Sequence, residues 1–184
     1  MKIAVYSGSF NPLHIGHLAI LRRLGECGCF DGVYLIVSPK NPLKDIDESG
    51  SAQRLEAAEE AVARHPELKV KVDDIEFTLP SPQYTIRTLD ELKKREPDND
   101  FSLVVGGDQF ADFRRWRDYK RILIDYGVAV FPREGFDTAK IREDLLQENP
   151  LYRITLIEMP LVNISSTELR QAAANGKDIS KYLM

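Results

Sequence analysis

The 184-residue sequence has few of the residues that announce special chemistry: two cysteines, three histidines and one tryptophan. Cys27 and Cys29 flank a single glycine, too close for an unstrained disulfide. Free thiols are expected, and a disulfide-stapled scaffold is excluded. A zinc site would need about two more Cys or His ligands nearby, and none has a suitable spacing, so no protein-held metal is expected. No apolar run approaches the roughly 18 residues of a membrane span, and no basic segment leads into an apolar one at the N-terminus. The expected location is the cytoplasm, with no membrane partner. Positive charge is not in excess either, since 25 Lys and Arg face 29 Asp and Glu for a net charge of -4. That balance argues against nucleic acid as the main partner and leaves any bound phosphate to local cations. Repeats and Gly/Ser linkers are missing, so one domain spanning residues 1–184 is expected.

What is present is ordered alternation. Apolar, strand-like runs (KIAVYS, GVYLIVSP, LKVKVDDIEF, FSLVVGGD, YGVAVFPR, YRITLIEMP) are separated by stretches with helical spacing. Among the latter, SAQRLEAAEEAVARHP has a serine at its front as the expected cap. The pattern predicts an α/β fold with a mainly parallel sheet flanked by helices on both faces. In such sheets ligands bind beyond the carboxyl ends of the strands.

GSFNPLHIGH, residues 8–17, occupies the first such position. Glycines at 8 and 16 allow close backbone approach, and a helix starting near Ile15 points N–H groups at a ligand. His14 and His17 can share one face there and donate to a phosphoryl oxygen; structural roles, one capping and one buried, are the plain alternative. At the other end, NISSTELRQA (residues 163–172) reads as a helix start with Ser165 and Glu168 forming a capping box. Arg170, unused by the cap, suits phosphate oxygens.

The first motif resembles the Gly-x-Phe-x-Pro-x-His-x-Gly-His signature of the nucleotidyltransferase superfamily. The second resembles its Ile-Ser-Ser-Thr-x-Ile-Arg motif, with Leu169 in place of isoleucine. The resemblance runs from Gly8 to Arg170 and implies a Rossmann-like three-layer fold. It also implies an ATP site including Gly8, Ser9, Phe10, His14, His17, Gly106, Asp108, Ile164, Ser165, Ser166 and Arg170. PSPQYTIRTL, residues 80–89, is similar to a stretch of the bacterial nicotinate mononucleotide adenylyltransferases in which a Tyr-Thr pair meets the pyridine carboxylate. Tyr84 and Thr85 would fill that role, and an anion suits a helix N-terminus. Asp108, after VVGG, would accept from ribose hydroxyls, and Trp116 would stack on the pyridine ring; a core anchor is its plain alternative.

SPKNPLK resembles the family's Pro-rich loop ending in lysine, which makes Lys44 the candidate phosphate contact and Lys40 its rival. FPREG departs from the family's Ala-Arg-Pro-Gly turn, so the role of Arg133 stays open. The activity implied is transfer of the adenylyl group of ATP to nicotinate mononucleotide, yielding nicotinate adenine dinucleotide and pyrophosphate in NAD biosynthesis. His14, His17, Lys44 and Arg170 would be the catalytic groups, with Mg2+ accompanying ATP.

Phosphopantetheine is the second acceptor class. A phosphate-binding regulator without turnover, or a nucleic-acid module using FRRWRDYKR, is the reading from other classes. The HIGH tetrad also matches class I aminoacyl-tRNA synthetases, but the chain lacks a Lys-Met-Ser-Lys-Ser run and room for their other modules. A homo-oligomer is compatible with everything above.

Overall fold

The computed structural model describes residues 1–39 and 50–184. Six strands are β1 (Lys2–Gly8), β2 (Gly32–Val37), β3 (Val70–Asp73), β4 (Asp100–Gly106), β5 (Val128–Phe131) and β6 (Ile154–Leu156). They form one sheet in the order β3-β2-β1-β4-β5-β6, every pair parallel. β1, β2, β4 and β5 are almost continuously apolar and buried, as strands covered on both faces must be.

The covering helices are α1 (Ile15–Glu26), α2 (Ser51–Ala63), α3 (Thr85–Arg95), α4 (Gly107–Ala111), α5 (Tyr119–Arg121), α6 (Thr138–Glu148) and α7 (Ser166–Ala174). One apolar cluster gathers Leu89, Leu92, Phe101, Phe110, Phe113 and Leu123 on the side of α3 to α5. The other gathers Leu13, Ile20, Leu21, Leu24, Leu35 and Ala58 on the side of α1 and α2. The result is the expected three-layer α/β, Rossmann-like architecture.

The strand order decides where a ligand can sit. β1 has β2 on one side and β4 on the other, so the chain reverses its direction of travel between β1 and β4 and the crossing loops diverge there. GSFNPLHIGH runs from the end of β1 into the first turn of α1, and Gly106-Gly107-Asp108 joins the end of β4 directly to α4.

Three local expectations change. Ser51 does not cap α2: the cap position is Gly50, at φ 96°, with no side-chain hydrogen bond, a conformation glycine adopts without a Cβ penalty. The strand expected over LKVKVDDIEF stops at Asp73. The Asp73 carboxylate takes the Ile75 N–H at 3.1 Å and both arms of Arg95 at 3.1 and 2.6 Å, and the chain turns into a 3-10 segment, Ile75–Phe77. β6 is cut to three residues, Ile154–Leu156.

Candidate active site

The first helix is closed by its own histidines. His14 is the N-cap residue of α1, and its Nδ1 accepts the Gly16 N–H at 3.1 Å; His17 Nδ1 accepts the His14 N–H at 3.2 Å. Backbone amides only donate, so both Nδ1 atoms must be unprotonated, and this assigns the proton of each neutral ring to Nε2. Burial, reinforced by the Arg133 cation, pushes His14 down from 6.5 to about 4. Burial, then the His14 ring and Arg133, pushes His17 down to about 3. The two rings lie 3.8 Å apart between centroids, and Phe10 meets His17 edge to face at 5.2 Å. At neutral pH the pair therefore offers two Nε2–H donors rather than two cations. Such a pair gains strength as negative charge grows on an acceptor.

The two terminal motifs meet. A Cβ on Gly16 would come within 2.6 Å of Ile164 Cγ2 and 2.7 Å of Val162 Cγ1, so glycine there is what allows α1 to touch the loop before α7. Ser166 Oγ donates to the Pro12 carbonyl at 3.0 Å. Arg170 behaves differently from a free phosphate fork: one terminal nitrogen donates to the Asn11 carbonyl at 2.5 Å and the other to Thr167 Oγ1 at 3.1 Å. It ties the two motifs together, and engaging an anion with both arms would require exchanging these partners. Ser165 caps α7 as the sequence implied, accepting the Glu168 N–H while the Glu168 carboxylate takes the Ser165 N–H at 3.0 Å.

On the β4 side, a Cβ on Gly107 would press on Thr138 Cγ2 at 3.0 Å and on the Arg133 backbone at 3.3 Å. This close approach holds the turn containing Arg133 against α4. Asp108 is exposed, with Oδ1 3.7 Å from Arg133 Nε. Arg133 also donates to the Val162 carbonyl at 3.1 Å, and its Nε is buried without a hydrogen-bond partner among the described residues. Arg133 thus stands between Asp108, the imidazole pair and the loop before α7.

A cavity of about 570 Å³ opens beyond the ends of β1 and β4, lined among others by Gly8, Ser9, Tyr84, Thr85, Gln109 and Trp116. Trp116 is half-buried and packs on Phe113 at 5.0 Å between ring centroids, so it is both core neighbour and cavity wall. Tyr84 is the N-cap residue of α3 and offers no side-chain cap. Its own N–H is already given to the Pro82 carbonyl at 3.0 Å. Of the expected Tyr-Thr backbone pair, Thr85, the first residue of the helix, is the one left to serve a ligand. Phe10, His14, His17, Gly106, Asp108, Ile164, Ser165, Ser166 and Arg170 sit outside this cavity's lining. Lys40 and Lys44 lie outside the described residues.

Two cavity features escaped the sequence. Arg115 and Arg117 line it, although the basic run there reads as a solvated helix face. Glu76 is only 3% exposed and receives hydrogen bonds from Ser38 Oγ at 2.5 Å, Thr88 Oγ1 at 2.9 Å and Ser7 Oγ at 3.2 Å. Beside Asp73 and Asp74 it reads as one more surface acid; the 3-10 segment that follows Asp73 is where it becomes buried. Among the described residues no group of three His, Cys, Asp or Glu side chains could hold a metal ion, and no helix is long and apolar enough to cross a membrane.

The geometry has counterparts. Residues 5–172 match the cytidylyltransferase-like family. A "Probable nicotinate-nucleotide adenylyltransferase" of Bacteroides fragilis is 39% identical over 183 residues, covering 99% of this chain and 87% of that protein. One of the same name from Flavobacterium johnsoniae is 36% identical over 187 residues, covering 100% and 92%. The structure of Plasmodium falciparum nicotinic acid mononucleotide adenylyltransferase complexed with NaAD superposes with a TM-score of 0.79 at 22% identity, over 99% of this chain and 90% of that one, a likeness of fold. With a family match across most of its length and full-length relatives well above 30% identity, the chain belongs to the cytidylyltransferase-like family, among its nicotinate-nucleotide adenylyltransferases.

Proposed function

We propose that residues 1–184 work as one nucleotidyltransferase domain that moves the adenylyl group of ATP onto nicotinate mononucleotide, releasing pyrophosphate and nicotinate adenine dinucleotide. The observation that carries the acceptor assignment is the open start of α3, an uncapped helix N-terminus on the wall of a cavity shared with Trp116. An uncapped first turn presents N–H donors and the positive end of the helix dipole. A carboxylate on a flat ring matches it, and a neutral amide does so less well.

The acceptor phosphate is already a nucleophile at neutral pH, so the chain has to align it with the α-phosphorus and neutralise developing charge. His14 and His17 would donate Nε2–H to the α- and β-phosphate oxygens. Gly8, Ser9 and Phe10 would pass under the phosphates, Gly106 and Asp108 would hold the ribose, and the segment carrying Ile164, Ser165, Ser166 and Arg170 would border the triphosphate site by bracing that loop, Ser166 through Pro12 and Arg170 through Asn11. Lys44 would add a cation from the loop after β2. Tyr84, Thr85 and Trp116 would hold the pyridine carboxylate and ring. Mg2+, held by triphosphate oxygens and water rather than by a protein cage, would offset the charge of the leaving pyrophosphate.

The test is pyrophosphate release with ATP and Mg2+, comparing nicotinate mononucleotide, nicotinamide mononucleotide and phosphopantetheine, with His17→Ala as control. Preference for the nicotinate form, lost in the variant, is expected. Release only with phosphopantetheine would overturn the acceptor assignment, and release with none would overturn the enzyme.

A further inference from the structure

Glu76 is a buried carboxylate with no cationic partner among the described residues: its recorded contacts are the hydroxyls of Ser7, Ser38 and Thr88. Three hydroxyl donors satisfy its oxygens, and among the described residues no counter-charge faces it in this low-dielectric site, an arrangement that a cation arriving beside it would relieve. Its position shows where that charge could come from. Glu76, Ser7 and Ser38 line the same cavity as Tyr84, Thr85 and Trp116. A flat cationic heteroaromatic ring is the ligand chemistry that suits an indole face and a carboxylate together, since both attract positive charge.

We infer that Glu76 supplies the counter-charge for the cationic pyridinium ring of the acceptor, and so selects ring-charged mononucleotides over ring-neutral ones. The inference rests on the proposed acceptor and deepens it. The acceptor is read in three parts: α3 and the nearby Arg115 and Arg117 meet its anionic groups, Trp116 its ring face, and Glu76 its ring charge. Burial pushes the Glu76 pKa up against the three hydroxyl hydrogen bonds that pull it down; a cation beside it favours the ionised form.

The alternative is that Glu76 only clamps β1, β2 and α3 together through its hydroxyl partners. The two roles separate on a pair of acceptors, nicotinate mononucleotide and its 1,4-dihydro form, which keeps the carboxylate and ribose phosphate but has an uncharged ring. Glu76→Gln should raise KM for the oxidised acceptor about tenfold, the scale of one partly screened charge contact, and leave KM for the dihydro form within about twofold. Thr88→Val, which removes one clamp bond and no charge, should shift both acceptors alike.

Equal shifts with both acceptors in Glu76→Gln, or none, would overturn the assignment while leaving the enzyme reading intact. No turnover of either acceptor by the wild-type chain would instead sink the enzyme reading. Should Glu76→Gln not fold, fluorescence of Trp116, the sole tryptophan, reports binding in the wild-type chain. Tighter binding of the oxidised than of the dihydro acceptor is expected, and equal or weaker binding would contradict the inference.

Discussion

The starts of α3 and α7 are both places where an anion could bind, and the chain has treated them oppositely. α7 is sealed: Ser165 and Glu168 exchange hydrogen bonds, and the Glu168 carboxylate already occupies the positive end of the helix. α3 is open: Tyr84 provides no side-chain cap, and Thr85 faces a cavity. α1 is intermediate, closed by imidazoles whose Nδ1 atoms do the capping while Nε2–H remains to donate. A signature at a helix start therefore does not by itself say that the helix holds a ligand. What matters is which donors are already spent: at α7 they are, and its first turn braces the loop after β1 through Ser166 and Arg170, whereas α3 starts without a side-chain cap on the cavity wall, as the proposed acceptor site requires.

The largest effect expected from this comparison is at α1. His17→Ala should lower kcat by about 10²–10³-fold, the usual scale for losing one donor to developing charge, with a stability loss near 1 kcal/mol for the lost capping bond. Steady-state kinetics beside thermal unfolding would separate the two. A variant that loses stability but keeps its kcat would reduce His17 to a cap.

Next comes α3. Thr85→Pro deletes one first-turn N–H at the helix position where proline is best tolerated, and Tyr84, at φ -77° and ψ 133°, already has the extended backbone that precedes a proline. KM for nicotinate mononucleotide should rise about 10-fold or more, matching one charge-assisted hydrogen bond, while KM for ATP holds. An unchanged acceptor KM would remove α3 from the site.

At α7, Ser165→Ala should cost about 1 kcal/mol and lower Tm by about 2–4 °C for a chain of this size, with both KM values within about threefold. A large rise in the KM for ATP would show that the sealed helix does bind phosphate and would break the contrast.

A separate effect is expected on the pH dependence of stability. Both imidazoles titrate lower in the folded chain, about 4 and about 3 against 6.5, so the unfolded chain binds more protons in between. Their contribution to stability is complete above about pH 6.5 and is lost as pH falls toward those folded values. Carboxylates titrate in the same range, so the quantity to follow is the difference in denaturation midpoint between wild type and His17→Asn from pH 7 to pH 4. A difference that stays constant would mean the imidazoles are not held neutral.

The sheet was legible because each of its inner strands is a nearly unbroken apolar run ended by glycine or proline, and a both-sided parallel strand has little other way to be written. The α7 capping box was legible for the same local reason. Glu76 was not: its fate depends on Asp73 drawing in Arg95 and the Ile75 amide, a contact with a helix 22 residues away in sequence. Arg170 was legible as a cation beside a motif but not as a tie to Asn11, 159 positions away. Residue types that local pattern controls could be placed; partners across the fold had to be seen.

The most direct test of the contrast between α3 and α7 is the ratio of kcat/KM for nicotinate over nicotinamide mononucleotide, measured in wild type, Thr85→Pro and Ser165→Ala. The ratio is expected to lie well above one in wild type, to be unchanged in Ser165→Ala and to fall by about tenfold in Thr85→Pro, the effect of one hydrogen bond to a charged group. A ratio that survives Thr85→Pro intact would contradict that contrast.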